Sequence, residues 1–270
     1  MSTDYTLGWG THASPDDGRC AMEWVSYLAG ESHSDHPRCV SPVLRAFCTA
    51  LNDSLEDEPR QRLRPYLART IGTADDGLDD ARSWMAMDWL IRTYTRTWLG
   101  VAHLPNAARR LADLPEIGSS CELPSALEAL TLARGESRAA WSSALGPVRA
   151  AAQTPWSAGR AAARQVAWAS AGAAAWSAAR VGVGDIDGDR ARALAREIGG
   201  DAAATIGRDA RTGPGRAAAR EAARAALSPI IEELQGLAFS LLDRMLPTAP
   251  LAVPDAGVGS LQYAPAALTG

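Results

Sequence analysis

The stretch AAARQVAWASAGAAAWSAAR, residues 161–180, decides the fold class of this chain. It divides into four-residue words. The third letter is always alanine (Ala163, Ala167, Ala171, Ala175, Ala179), and the fourth runs Arg164, Trp168, Gly172, Trp176, Arg180. Alanine favours helix more than any other residue but buries little area. A helix turns about 100° per residue, so a four-residue step overshoots one turn by about 40°, and the alanine row drifts by about 160° from Ala163 to Ala179. The pattern predicts a helix that is small-sided on several faces. Neighbouring helices approach closely there, with Trp168 and Trp176 filling the gaps between them. RAAAREAARAAL at 216–227 repeats the pattern, with Arg216, Arg220 and Arg224.

Reading outward, residues 126–247 form Ala/Arg-rich helical hairpins. Breaks are expected at Gly146-Pro147, Thr154-Pro155, the VGVGDIDGD run at 181–189, Thr212-Gly213-Pro214 and Ser228-Pro229. The last helix carries an apolar face of Ile230, Leu234, Leu237, Leu241 and Met245, which suits docking on earlier helices.

Residues 17–115 read as an acidic N-terminal helical unit. Its first helix spans about 18–29, with Asp17 as cap, and leads into the polar loop GESHSDHPRC. Ser41-Pro42 starts a second helix whose Val43, Leu44, Phe47, Cys48 and Leu51 share one face. A shorter helix over 56–70 restarts at Pro65. Thr73 and Asp76 resemble a capping box, and Asp75, Asp76, Asp79 and Asp80 suit the positive end of a helix reaching Thr97, with Leu78, Ala81, Met85, Trp89 and Arg92 on one face. Leu104-Pro105 precedes another short helix. Residues 1–16 form an extended arm, 116–125 a linker, and 248–270 a disordered or loosely packed tail. No stretch reads as a strand, so the expected class is all-α.

The 270 residues contain no lysine; all 27 basic residues are arginine. Residues 1–125 hold 18 acids and 12 arginines, net −6, and residues 126–247 hold 12 acids and 15 arginines, net +3. Neither balance announces nucleic acid or a membrane, and acids interleave the arginine rows. Four cysteines are too few for a disulfide scaffold. The start MSTDYTLGWG lacks the pattern of a signal peptide, and the most membrane-like run, the 15 residues between Arg164 and Arg180, is too short to span. These features predict a cytoplasmic protein with reduced thiols.

Chemistry-bearing residues concentrate in CAMEWVSYLAGESHSDHPRC, 20–39. Cys20, His33, His36 and Cys39 make a zinc-type ligand set, without the usual paired-cysteine knuckle. Asp35-His36 is a candidate dyad, with Cys20, Cys39 or Cys48 as nucleophile. Ala21-Met22-Glu23-Trp24 is echoed by Ala86-Met87-Asp88-Trp89. A carboxylate between Met and Trp needs a partner. Asp88 has Arg92 one turn on, whereas Glu23 has no arginine at +3 or +4 and must look to His36 or Arg45. If the two helices lie side by side, Glu23 and Asp88 face a shared metal or cation site. GDIDGD at 184–189 fails as a calcium loop, because Arg190 and Arg196 occupy the positions that need Gly and Glu; it reads as a turn into a helix capped by Asp187 or Asp189.

CAMEWVSYLAGE, SDHPRC followed by SPVLRAF, LND, WMAMDWLIRTY followed by WL, and LQGLAFSLLDRML together resemble an uncharacterised group of Ala/Trp/Arg-rich helical proteins of high-GC bacteria and their phages. The resemblance covers about 17–115 and 226–246. It implies that the acidic unit and the final helix belong together, and it assigns no activity. The function expected from the whole sequence is a non-catalytic helical scaffold or interaction protein with a protein partner or a second copy. The alternative is a metal-dependent enzyme or metal-binding module, zinc being the implied metal, that uses the 20–39 loop with Glu23 and Asp88.

Overall fold

The computed structural model describes residues 5–144, 161–206 and 216–248. The breaks expected at Gly146-Pro147, Thr154-Pro155 and Thr212-Gly213-Pro214, and the tail from 249 onward, lie outside them. The described residues form helices and loops without strands, as an all-α protein.

The first layer contains α1 (Ala21–Leu28), α2 (Pro42–Ser54), α3 (Asp57–Arg60) and α4 (Arg64–Thr70). Ser41 caps α2, accepting from the backbone N–H groups of Val43 and Leu44, and Pro42 sits in its first turn. Val43, Leu44, Phe47, Cys48 and Leu51 are all fully buried, so the expected face is the real one. A single 3-10 turn, Gln61–Leu63, separates α3 from α4 just before Pro65.

α1 begins later than its sequence suggests, at Ala21, with Cys20 rather than Asp17 at the cap position. The Cys20 N–H donates to Glu23 Oε2 at 2.7 Å, the carboxylate half of a capping box.

The next helix, α5 (Asp79–Asp88), also starts later than the expected Thr73. Asp75 and Gly77 adopt positive φ (59° and 76°), which ends any helix through them. Thr73 is spent elsewhere: its hydroxyl donates to Thr70 O at 2.6 Å and accepts from the Ser41 N–H at 2.9 Å. The buried face is shifted too. Arg82, Ser83, Ala86 and Met87 face inward, while Leu78 is half exposed. The shift follows from Arg82, which donates to both Asp76 oxygens (2.8 and 2.6 Å) and to Met245 O (2.9 Å). Fully paired, this arginine can be buried where sequence periodicity reads it as outward.

α5 runs into a π-helical stretch, Trp89–Thr95, then α6 (Arg96–Val101) and α7 (Pro105–Ala112). The segment read as a linker packs down: Ile117 and Leu123 are buried, and the Ile117 N–H donates to Asp88 Oδ1 at 3.0 Å. The arm packs as well, with Leu7 buried between hydrogen bonds to Gln61.

The Ala-rich half supplies α8 (Leu123–Ala144), helical residues 161–167, a π turn Trp168–Gly172, α9 (Ala173–Gly182), α10 (Ile186–Ile206) and α11 (Arg216–Met245). α9 lies between α2 and α5, and α10 packs along α8, α6 and the first π stretch. One apolar core therefore runs through both halves. Ala163, Ala167, Ala171, Ala175 and Ala179 are all buried. The π turn helps, because i→i+5 bonding takes back part of the angular overshoot of a four-residue step. Trp168 and Trp176, expected to fill gaps between helices, pack partly buried against the core and also line a groove.

α10 is capped by Asp185, whose Oδ1 accepts from the Gly188 N–H at 2.6 Å, and not by Asp187 or Asp189. The break expected at Ser228-Pro229 is absent: α11 continues through Pro229. Leu227, Ile230 and Leu234 are buried on either side of it, and this packing outweighs the hydrogen bond that Pro removes. α11 docks as expected, with Phe239 5.7 Å from Tyr66 and Arg69 2.5 Å from Asp243.

Candidate functional site

Glu23 is the centre of the densest polar cluster in the N-terminal unit. Only 2% of its side chain is exposed. The backbone N–H of His12 donates to Oε1 at 2.7 Å, and Oε2 receives the Cys20 N–H at 2.7 Å and His12 Nδ1 at 2.8 Å. His33 Nε2 approaches Oε1 at 3.8 Å and His12 O at 3.0 Å. Burial pushes the Glu23 carboxyl up, but the His12 and Cys20 N–H groups and the His12 ring together hold it below its ordinary value. The carboxylate is therefore ionised and accepts only, so His12 Nδ1 carries a proton and donates to it.

The other ring nitrogen, Nε2, faces the backbone of the arm. A Cβ built on Gly8 would lie 2.7 Å from His12 Nε2, and one on Gly18 would lie 2.9 Å from it. The arm backbone covers the ring nitrogen, so the Glu23–His12 pair fastens the arm to α1. His12 is the residue that sequence reasoning missed. The partners weighed for Glu23, His36 and Arg45, do not touch it among the contacts described. The usable signal was Glu23 three residues after Cys20, the spacing of a capping-box carboxylate that turns back toward the arm.

The remaining candidates separate. His36 is exposed, its Nε2 3.6 Å from Asp35 Oδ1. The Cys39 N–H donates to Glu31 Oε1 at 2.9 Å, and the Arg38 N–H to Oε2 at 2.8 Å, fixing the turn of the loop. Cys20 and Cys48 are buried in the core. Burial raises both thiols to about 12, and burial with the Glu31 carboxylate raises Cys39 to about 11. A thiol held there stays protonated near neutral pH and is a poor nucleophile. Among the described residues no three His, Cys, Asp or Glu side chains gather as a metal would need. Cys20, His33, His36 and Cys39 thus do not form a ligand set. Asp88 is held by Arg92 at 3.0 Å, the expected one-turn pair, and by Ile117. Glu23 and Asp88 have separate partners and do not share a site.

Beside the Glu23 cluster, α1 presents an aromatic and cationic face. Tyr5 lies 3.9 Å from Trp24, and Trp24 lies 5.3 Å from Tyr27, edge to face. The Arg19 guanidinium sits 4.9 Å over Trp24 and 4.8 Å over Tyr27, and Arg64 sits 4.6 Å over Tyr5. Tyr27 is 54% exposed and Trp9, in the same arm, 67%.

The fold and this face define an all-α protein with a stacked Trp/Tyr/Arg surface fastened by a buried carboxylate. Compared with known proteins, the chain matches no family model, and no curated protein or solved structure matches it.

Proposed function

We propose that this chain is a non-catalytic helical scaffold and interaction protein that meets a protein partner through the Arg19–Trp24–Tyr27 face. The observation that carries the reading is the stacking of two guanidiniums and three aromatic rings at the surface, with Tyr27 more than half exposed. Trp, Tyr and Arg dominate the energetics of protein interfaces, because each combines a large apolar area with a polar tip. The Glu23–His12 fastening holds the arm in place beforehand, which lowers the ordering cost of binding. Glu23, His33 and Asp88 and the buried thiols serve internal contacts, which favours recognition over catalysis. The four cysteines are free, which supports a reducing compartment such as the cytoplasm. The segment Glu221–Met245 is long and apolar enough to cross a membrane by length and composition, with mean hydropathy 1.2; in this fold its Phe239 and Asp243 contact α4.

A photo-crosslinking amino acid placed at Tyr27 in cells tests the reading, with the same group at exposed Leu132 on α8 as control. A discrete protein adduct from position 27, lost on Arg19→Ala, is expected. No adduct, or the same adducts from both positions, overturns it. The metal reading has its own measurement on protein purified without a histidine tag. Stoichiometric zinc or iron that disappears in the His36→Ala, Cys39→Ala double variant would replace the interaction reading with the metal-dependent one.

A further inference from the structure

Trp168 and Trp176 line an open groove of about 740 Å³ between the 161–176 segment and the start of α10. Arg164, Arg192 and Arg196 also line it, together with Asp189 and Glu197. The charges cancel only in part within the groove. Asp189 is paired with Arg192, and Glu197 with Arg134 and Arg138, both outside the groove. Arg164 is 3.2 Å from the buried Asp201. Arg196 has no carboxylate partner among the described residues; its guanidinium lies 4.6 Å over Trp168.

The rings and cations form a continuous ladder. Arg180 sits 5.5 Å over Trp176, Trp176 meets Trp168 edge to face at 6.1 Å, and Arg196 closes the other end. At the base, Arg192 is 1% exposed, and its Nε–H has no hydrogen-bond acceptor among the described residues. The terminal nitrogens of the Arg192 guanidinium are committed to Val183 O and the Asp189 carboxylate, so Arg196 is the groove cation left without a carboxylate.

We propose that this groove binds a small flat-ringed anion, its ring against the Trp168–Trp176 pair and its carboxylate or phosphate on Arg196. The volume sets the size class. Sites for small organic ligands run about 300–1,000 Å³, so bare phosphate underfills this groove and a mononucleotide or substituted aromatic acid suits it. Guanidinium groups bind both carboxylate and phosphate through paired N–H donors, and indoles take flat rings of either kind. The groove shares no residue with the Tyr27 face, so failure here leaves the partner reading standing, and failure there leaves this site standing.

Calorimetric titration of the full chain with four probes tests the proposal: adenosine 5′-monophosphate, benzoate, adenosine and inorganic phosphate. Saturable one-to-one binding is expected for the nucleotide, for benzoate, or for both, and the two arms separate a nucleotide from an aromatic acid. Each probe lacking either the charge or the ring should bind at least about tenfold more weakly, adenosine by losing a charge-assisted contact and inorganic phosphate by losing the ring contact. Arg196→Glu should weaken binding by a similar factor while the thermal melt holds. Arg109→Ala, at an exposed position on α7, should leave binding unchanged. No saturable binding of nucleotide or benzoate at millimolar concentration overturns the proposal. So does binding that Arg196→Glu leaves intact, or inorganic phosphate binding as tightly as the nucleotide.

Discussion

The acidic N-terminal unit and the Ala-rich half hold their shapes by different physics. In the first, buried charges fix position. Arg82 ties α5 to Asp76 and to the end of α11, and Glu23 ties the arm to α1. In the second, close approach fixes position. A Cβ built on Gly172 or on Gly199 would lie 2.7 Å from the ring of Tyr94, so this buried ring is held between two helices that have no side chain at the contact. The polar unit is specified by partners, which must be present. The alanine unit is specified by the absence of atoms, which must not be added. The two kinds of site should therefore fail in opposite ways.

The largest effect belongs to the polar unit. Arg82→Met keeps most of the apolar stem and removes the charge, leaving Met245 O without its arginine donor and Asp76 with only the Leu78 N–H. Breaking a buried pair by removing one partner costs about 3–5 kcal/mol. A drop of that size in chemical denaturation is expected, with part of it recovered when Asp76→Asn is added. A loss below about 1 kcal/mol, the range of exposed ion pairs, would show that the pair does not fix this unit.

Next comes the alanine unit. Gly199→Ala should gain helix propensity, about 1 kcal/mol, and lose more by overpacking against Tyr94, about 1–3 kcal/mol, for a net destabilisation. Tyr94→Leu shortens the ring, so Gly199→Ala should cost less in that background. Additive effects of the two substitutions would break the comparison, because contacting residues should couple.

The smallest effect is read from pH. The Glu23 carboxyl titrates lower in the folded chain than in the unfolded one. Between the two values the unfolded chain binds a proton that the folded chain refuses, so acid favours unfolding. The stability that Glu23 contributes is thus complete above the ordinary carboxylate value, about 4.3. It is lost as pH falls through the lower, folded value. Glu23→Gln should flatten the acid limb of the stability curve and loosen the arm, read as faster amide exchange around His12. An acid limb identical to that of the parent chain would remove Glu23 from its fastening role.

Several local features were readable from single elements, although the caps of α1 and α10 were each misplaced by a few residues. The Ser41-Pro42 start, the buried face of α2, the Arg92–Asp88 pair and the apolar face of α11 all follow from residues within a few turns of one another. Readings failed where a distant residue altered the local rule. Arg82 turns inward because Met245 O, far along the chain, completes its hydrogen bonds. Glu23 takes its partner from an arm that is polar and featureless as sequence. Pro229 stays inside a helix because its neighbours are buried against other elements.

By itself, then, the sequence determined that the described residues build an all-α fold, because alanine, caps and apolar periodicity act over single turns. Only the tertiary structure decided that Cys20, His33, His36 and Cys39 stand apart while Trp168, Trp176 and the arginines line one groove. Bringing such groups together depends on how helices cross, and crossing is set by side-chain volumes and buried pairs between residues far apart in the chain.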